Sequence, residues 1–420
     1  MSGVYQGRRM RLGNRTPRLL LIGTGLLVAV LALAGGIFAR TNGLEPDRSF
    51  GRGGTSTVTL PESGQSVVFG TARTPEGKIV QSVLTTESES GFVVQFTNRG
   101  RLDRGFGAKG IAELDFKAGT VDPRDLIVGG RGKIFAAGEG RARGSDTYGT
   151  VLASLKPDGR PNRGFIGGGV AVPEELERVT PIEMTFDSKS RIVVVGYLGG
   201  IPAANTVVAR FLPGGRLDDS FSDDGVKRFS VTKNQLGRSV AIDGKDRIVV
   251  GSPGGAPYRH EHYIVRLLPD GRFDGSFGGD GRLEVSALKG DEETADVATD
   301  DRNRILVAGE GSARGGMVVR LLPGGGIDRT FGKKGVADFA WFEPTSLALD
   351  DDGRIFTIGS DDYAGGEVTR MGRNGKRTEY AFVTRIDYLT DGFVDRRGRL
   401  VVGGRGTNGK PAVARLLNRR

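Results

Sequence analysis

Four carboxylates stand at one recurring place in this chain. Asp125, Glu183, Asp296 and Asp391 each lie eight residues ahead of a basic turn residue, at Lys133, Arg191, Arg304 and Arg399. The same offset from Lys78, Arg247 and Arg354 marks Gly70, Ser239 and Ser346, so seven positions are equivalent and four of them are acidic. Convergent oxygens are what calcium takes as ligands, and a ring of them would focus negative potential. Carboxylates forced together can also divide acid and base roles if burial and repulsion split their pKa values, as a hydrolase or lyase requires. The simpler account is that polar residues open solvent-facing strands.

A second group consists of side chains suited to binding. Tyr148, Tyr197, Tyr258, Arg259, His260, His262, Trp341 and Tyr363 fall in or beside segments that differ from one repeat to the next, among them Glu139–Gly149, Leu198–Asn205 and Ser252–His262. Variable loops on a constant scaffold are where recognition usually resides. His260-Glu261-His262 contains the only two histidines, at a spacing that could ligate zinc. Two imidazoles without a third ligand do not make a zinc site, and the pair reads as a loop leading into a strand. No Gly-x-Ser-x-Gly elbow, phosphate loop or His-Glu-x-x-His is present, so neither a catalytic set nor a cofactor site is read. The absence of cysteine excludes disulfides, thiolate catalysis and cysteine-held metals.

The elements that must position these groups are set by an internal repeat. Asp103-Arg104-Gly105-Phe106-Gly107 returns as Asp218-Asp219-Ser220-Phe221, Asp274-Gly275-Ser276-Phe277-Gly278 and Asp328-Arg329-Thr330-Phe331-Gly332, with an early copy at Asp47-Arg48-Ser49-Phe50-Gly51. Its phenylalanines lie at 50, 106, 165, 221, 277 and 331. A period of this length means an array of one supersecondary unit. Within each unit, runs of four to eight β-branched or alternating residues are cut by Gly, Asp or Pro, which predicts strands rather than helices. Four strands are expected per unit, called a (Ser239–Asp243), b (Arg247–Gly251), c (Tyr263–Leu268) and d (Gly281–Ala287) in the copy that shows them best.

The c strand and the basic a–b turn each occur seven times. The chain starts with an unaccompanied d strand, Gly54–Leu60, and stops on an unaccompanied c strand, Ala412–Leu417. Pairing these two closes a ring, which predicts an all-β, seven-bladed β-propeller of four-stranded blades spanning 41–420. The sixth unit breaks the pattern, running from Met371-Gly372-Arg373-Asn374-Gly375-Lys376 into Arg377–Phe382 without the Asp-x-Ser-Phe phrase.

Leu-Pro-Asp-Gly-Arg-Phe-Asp-Gly-Ser-Phe-Gly at 268–278, followed by Val-Ala-Thr-Asp-Asp-Arg-Asn-Arg-Ile-Leu-Val at 297–307, resembles the delta-60 repeat family of bacterial exported proteins, with an NHL-like strand pattern. The resemblance covers roughly residues 44–420. It implies a β-propeller and no particular reaction.

Residues 1–40 are of another kind. Arg8, Arg9, Arg11, Arg15 and Arg18 precede the uncharged stretch Leu19–Ala39, which predicts an export signal or, uncleaved, an N-terminal membrane anchor. Cleaved or not, the propeller is expected outside the cell or on its surface, with the membrane met only through this segment. Setting aside the six arginines of residues 1–40 leaves 54 basic against 50 acidic groups, too balanced for a nucleic-acid binder. The function that follows is a non-enzymatic binding or scaffolding module for a protein, peptide or glycan. A channel-mouth hydrolase or lyase using the clustered carboxylates is the alternative, and a structural cell-envelope protein without a specific ligand is the third reading.

Overall fold

Short apolar runs separated by tight turns leave each unit with only one way to bury two sheet faces, which is to stack against its neighbours. The computed structural model describes residues 43–62, 64–199, 204–232, 235–256, 259–285, 293–311, 315–340, 343–361 and 365–419. They form seven antiparallel sheets ordered a-b-c-d, the seven blades of a propeller. The inner a strands are Ser66–Arg73, Gly119–Val128, Val179–Phe186, Ser239–Ile242, Glu293–Thr299, Glu343–Leu349 and Ile386–Val394. The predicted segment 1–40 lies outside the described residues. Among the described residues no helix is long and apolar enough to cross a membrane.

Ring closure follows the split repeat. Thr55, Ser56 and Thr57 pair with Ala414, Val413 and Ala412, so the front strand completes the blade that ends the chain. A second short strand, Leu44–Pro46, pairs with the far end of the same partner through Leu44↔Asn418. The seventh blade therefore holds both ends of the propeller through backbone pairing.

Among the described residues seven apolar clusters hold the blades together, each at one blade junction. Ile192 and Val194 pack toward the second blade, while Val193 and Val195 of the same strand pack toward the fourth. Strand alternation thus sends successive side chains into opposite interfaces. The repeating phenylalanine is buried at all six of its positions, at no more than 2% exposure. It wedges beneath a turn of the following blade. A Cβ on Gly215 would lie 2.5 Å from the Phe165 ring, and one on Gly271 3.1 Å from Phe221. Both glycines also have positive φ, 95° and 88°, so that turn accepts no other residue without strain.

The Asp of the phrase does more than cap a turn. Asp274 accepts from the backbone N–H and hydroxyl of Ser276, and its other oxygen takes Arg266 Nε at 2.8 Å and Arg247 Nη1 at 3.2 Å. Arg266 is 1% exposed, lies over the Phe277 ring at 4.6 Å and donates to the Pro323 carbonyl of the next blade. The same set recurs as Arg210–Asp218–Phe221 and Arg320–Asp328–Phe331, and across the ring seam as Arg415–Asp47–Phe50. In the sixth blade Arg370 pairs instead with Glu379, at 3.0 Å.

Candidate functional site at the central channel

Each inner strand runs from the variable-loop face toward the basic-turn face, and in six of them the ladder slips just before the equivalent position. The bulges fall between Val68 and Thr71, Pro123 and Asp125, Pro181 and Glu183, Thr294 and Asp296, Pro344 and Ser346, and Leu389 and Asp391. A bulge re-aims the residues on either side of it. Here it leaves Phe69, Arg124, Ile182, Ala295, Thr345 and Thr390 lining the channel, joined by Arg238 from the fourth blade.

The aligned carboxylates line the same cavity and reach sideways to backbone donors at the blade junctions. Asp125 Oδ2 accepts the Met184 N–H at 2.8 Å, and Glu183 Oε2 accepts that of Val240 at 2.8 Å. Asp296 Oδ2 takes the Leu347 N–H at 2.6 Å, and Asp391 Oδ2 takes that of Thr71 at 2.6 Å. Ser239 performs the same task, accepting from Val297 N at 2.9 Å while donating to Asp296 Oδ1 at 2.7 Å. Ser346 donates to Asp391 Oδ1 at 3.1 Å. Side chains of this set thus tie every junction except the one that follows Gly70. At Gly70 the Asp125 carboxylate comes so close that a Cβ would meet its Oδ1 at 2.5 Å.

The calcium expectation gains no support from this geometry. Asp125, Glu183, Asp296 and Asp391 occupy equivalent places as predicted, but their oxygens are aimed at backbone donors of adjacent blades. Among the described residues no three His, Asp or Glu side chains lie close enough to share a metal ion. Burial in the channel wall raises all four pKa values, and their neighbours' negative charge adds to the effect at Asp125, Glu183 and Asp391. Asp391 is pushed up to about 6. The N–H donors act the other way without overcoming burial.

The predicted binding face is placed in part. Tyr148 is 48% exposed beneath the Arg141 guanidinium, 5.2 Å from its ring centre, and Tyr197 is half-buried on its strand, opposite Thr180 and Thr206. Tyr258, Trp341 and Tyr363 lie outside the described residues. His260 and His262 are not in a loop: the hairpin continues, pairing Pro253 with His262, Gly255 with His260 and Ala256 with Arg259. His262 is fully buried, its Nδ1 2.7 Å from Thr294 Oγ1, and burial lowers its pKa to about 4. It is a neutral core residue and cannot serve the exposed face. Only the backbone strand is described at Arg259 and His260.

The aligned carboxylates line this channel, as the sequence suggested, but the aromatic, apolar and cationic residues beside them were not singled out. The cavity is about 650 Å³, takes a wall from every blade, and mixes Val67, Phe69, Ile182 and Met184 with Arg124, Thr345 and Tyr388. Arg124 sits over the Phe69 ring at 5.2 Å and pairs with Glu139 at 3.3 Å. Tyr388 is 47% exposed. Nearby Asp122 is raised to about 6 by burial, with Glu89 and Glu139 contributing. A bulge is the signal that could have found this ring, but a single extra residue per strand is hidden by alternation in the sequence.

No family model matches the chain, and no curated protein does so. Among solved structures it is similar to YCF48 from Cyanidioschyzon merolae, at 12% identity and a TM-score of 0.47 over 86% of this chain and 98% of that one. It is also similar to a protein of unknown function from Dyadobacter fermentans, at 12% identity and a TM-score of 0.46 over 90% and 100%. A third is a polysaccharide lyase, a PL25 ulvanlyase, at 11% identity and a TM-score of 0.49 over 86% and 96%.

Proposed function

We propose that this chain is an exported or cell-surface β-propeller of the delta-60 repeat kind that binds a protein, peptide or glycan and does not turn it over. The observation that carries the reading is how the carboxylates are used. Asp125, Glu183, Asp296 and Asp391 are taken up as acceptors between blades, while the channel mouth presents an aromatic and cationic wall of Phe69, Arg124, Arg238 and Tyr388. A concave, partly apolar mouth with a few fixed polar groups is the usual form of a ligand site. Screening the full chain against glycans, peptides and envelope extracts should yield capture that falls at least tenfold in Arg124→Gln and Tyr388→Ala. Capture unaffected by either change would remove the mouth as the site.

One observation favours the enzymatic alternative. The raised carboxyls, with Asp391 near 6, would hold protons that a hydrolase or lyase needs at neutral pH. Turnover of a captured ligand that disappears in Asp296→Asn, with the fold intact, would decide for that reading. Capture with neither turnover nor sensitivity to Asp296→Asn decides for binding.

A further inference from the structure

The channel also opens on the opposite face, where the basic a–b turns gather. Three residues past the carboxylate ring, the inner strands carry Val128, Phe186, Ile242, Thr299, Leu349 and Val394 in six blades and Arg73 in the first. Arg73 is therefore the one charged residue of its ring. It lines the channel cavity together with Val394 and also a second cleft of about 360 Å³ beyond it. It is half-buried, and its guanidinium makes no hydrogen bond or ion pair with any described residue. Arg396 and Arg397 of the seventh blade line the same cleft and are likewise without an ion pair among the described residues.

The acids of the cleft are mostly spent. Asp395 is held by Arg399 at 2.6 Å. Asp350 and Asp352 share Arg354, at 2.6 and 3.1 Å. Asp351 alone remains as counter-charge. The neighbouring guanidiniums repel one another: after burial, the approach of Arg396 is the chief influence holding the Arg73 pKa below its ordinary value, and Asp395 opposes it. Cations brought together at this end of the channel, one of them partly withdrawn from water, favour an anion that fills the gap. Guanidinium forks suit the paired oxygens of a phosphate group.

We propose that Arg73, Arg396 and Arg397 form an anion site on the basic-turn face, separate from the variable-loop mouth, that takes a phosphate group. The group reaches it either as a soluble phosphate ester or as a phospholipid headgroup. The test is calorimetric titration of the full chain with inorganic phosphate and phenyl phosphate at low ionic strength, alongside co-sedimentation with phosphatidylglycerol and phosphatidylcholine vesicles. Arg73→Gln should weaken binding about tenfold, Arg73→Lys less, and the pair Arg396→Gln with Arg397→Gln by a similar factor. Lys245→Gln, on a turn of the fourth blade, should leave it unchanged. Circular dichroism confirms that each variant is folded. Binding of the soluble phosphates supports the site and names a soluble source; binding confined to phosphatidylglycerol vesicles supports it and names a headgroup. Neither probe binding the wild-type chain, or Arg73→Gln binding as the wild type does, or Lys245→Gln losing as much, overturns the proposal.

Discussion

At the scale of the residue, Asp391 shows how a structural tie differs from a free carboxylate. Its folded pKa, about 6, stands above the ordinary 3.8 because burial outweighs the N–H bonds it accepts. The folded state therefore binds that proton more tightly than the unfolded state does. Ionisation at neutral pH costs stability, and the cost disappears as the pH falls toward 3.8. A shift of this size corresponds to about 3 kcal/mol at most, less whatever solvent in the channel screens. The expected result is that wild type gains on Asp391→Asn as the pH is lowered from 7 to 4, measured as the difference between their urea unfolding free energies. A difference that is flat with pH would show the carboxyl to be unperturbed. Asp47, Asp218, Asp274 and Asp328 are shifted downward by their hydroxyl, N–H and arginine partners despite burial, so their stabilisation is lost on acidification. Comparing the two proteins cancels that opposite trend.

At the scale of the element, the strands and turns were readable because turn chemistry is local and recurs. The a–b and c–d connections stand where Asp, Gly and Pro put them. The hairpin from Ile248–Ala256 to Arg259–Leu267 was not readable. Its Gly254-Gly255 stretch looks like a loop, whereas pairing with the partner strand carries the ladder through it. His262 consequently belongs to the core and not to the expected surface. Arg266 was similarly hidden, since an arginine within an apolar run reads as an edge until its Asp274 partner, eight residues on, is seen to fold back against it. Breaking such a buried pair from one side leaves an unmatched charge, so Asp274→Ala should cost about 3–5 kcal/mol. The second blade uses neutral groups in the same place, Asn162 Nδ2 to Ser154 Oγ at 3.1 Å. Asn162→Ala should cost only about 1 kcal/mol. Chemical denaturation of the two variants tests the contrast, and equal losses would mean that the charge in the repeat phrase carries no special weight.

At the scale of the whole molecule, the number of blades and the position of the seam were legible in the residues alone, because the repeat is cut between its c and d strands. The aim of the carboxylates was not. Equivalent positions in a sequence say which residues share a ring at the channel, and they do not say that its oxygens also reach backbone donors across the junctions. The seam is the place where the fold depends on residues farthest apart in the chain. Arg415 Nε meets Asp47 Oδ2 at 2.8 Å across 368 positions, and Phe50 is buried beside it. Deleting residues 43–60 removes both short strands, the Phe50 wedge and the Asp47 partner of Arg415 together. The strand Pro411–Asn418 would then present an open, apolar edge, and the cluster shared by the first and seventh blades would lose Phe50, Val58 and Leu60. Expected are concentration-dependent oligomers by light scattering and a lowered melting temperature. Asp47→Ala alone should keep the edge covered, remaining monomeric while losing stability comparable to Asp274→Ala. Monomeric behaviour of the deletion variant would mean that the blades hold together without their seam. The interblade clusters and carboxylate ties would then suffice, and the split repeat would serve only to join the chain ends.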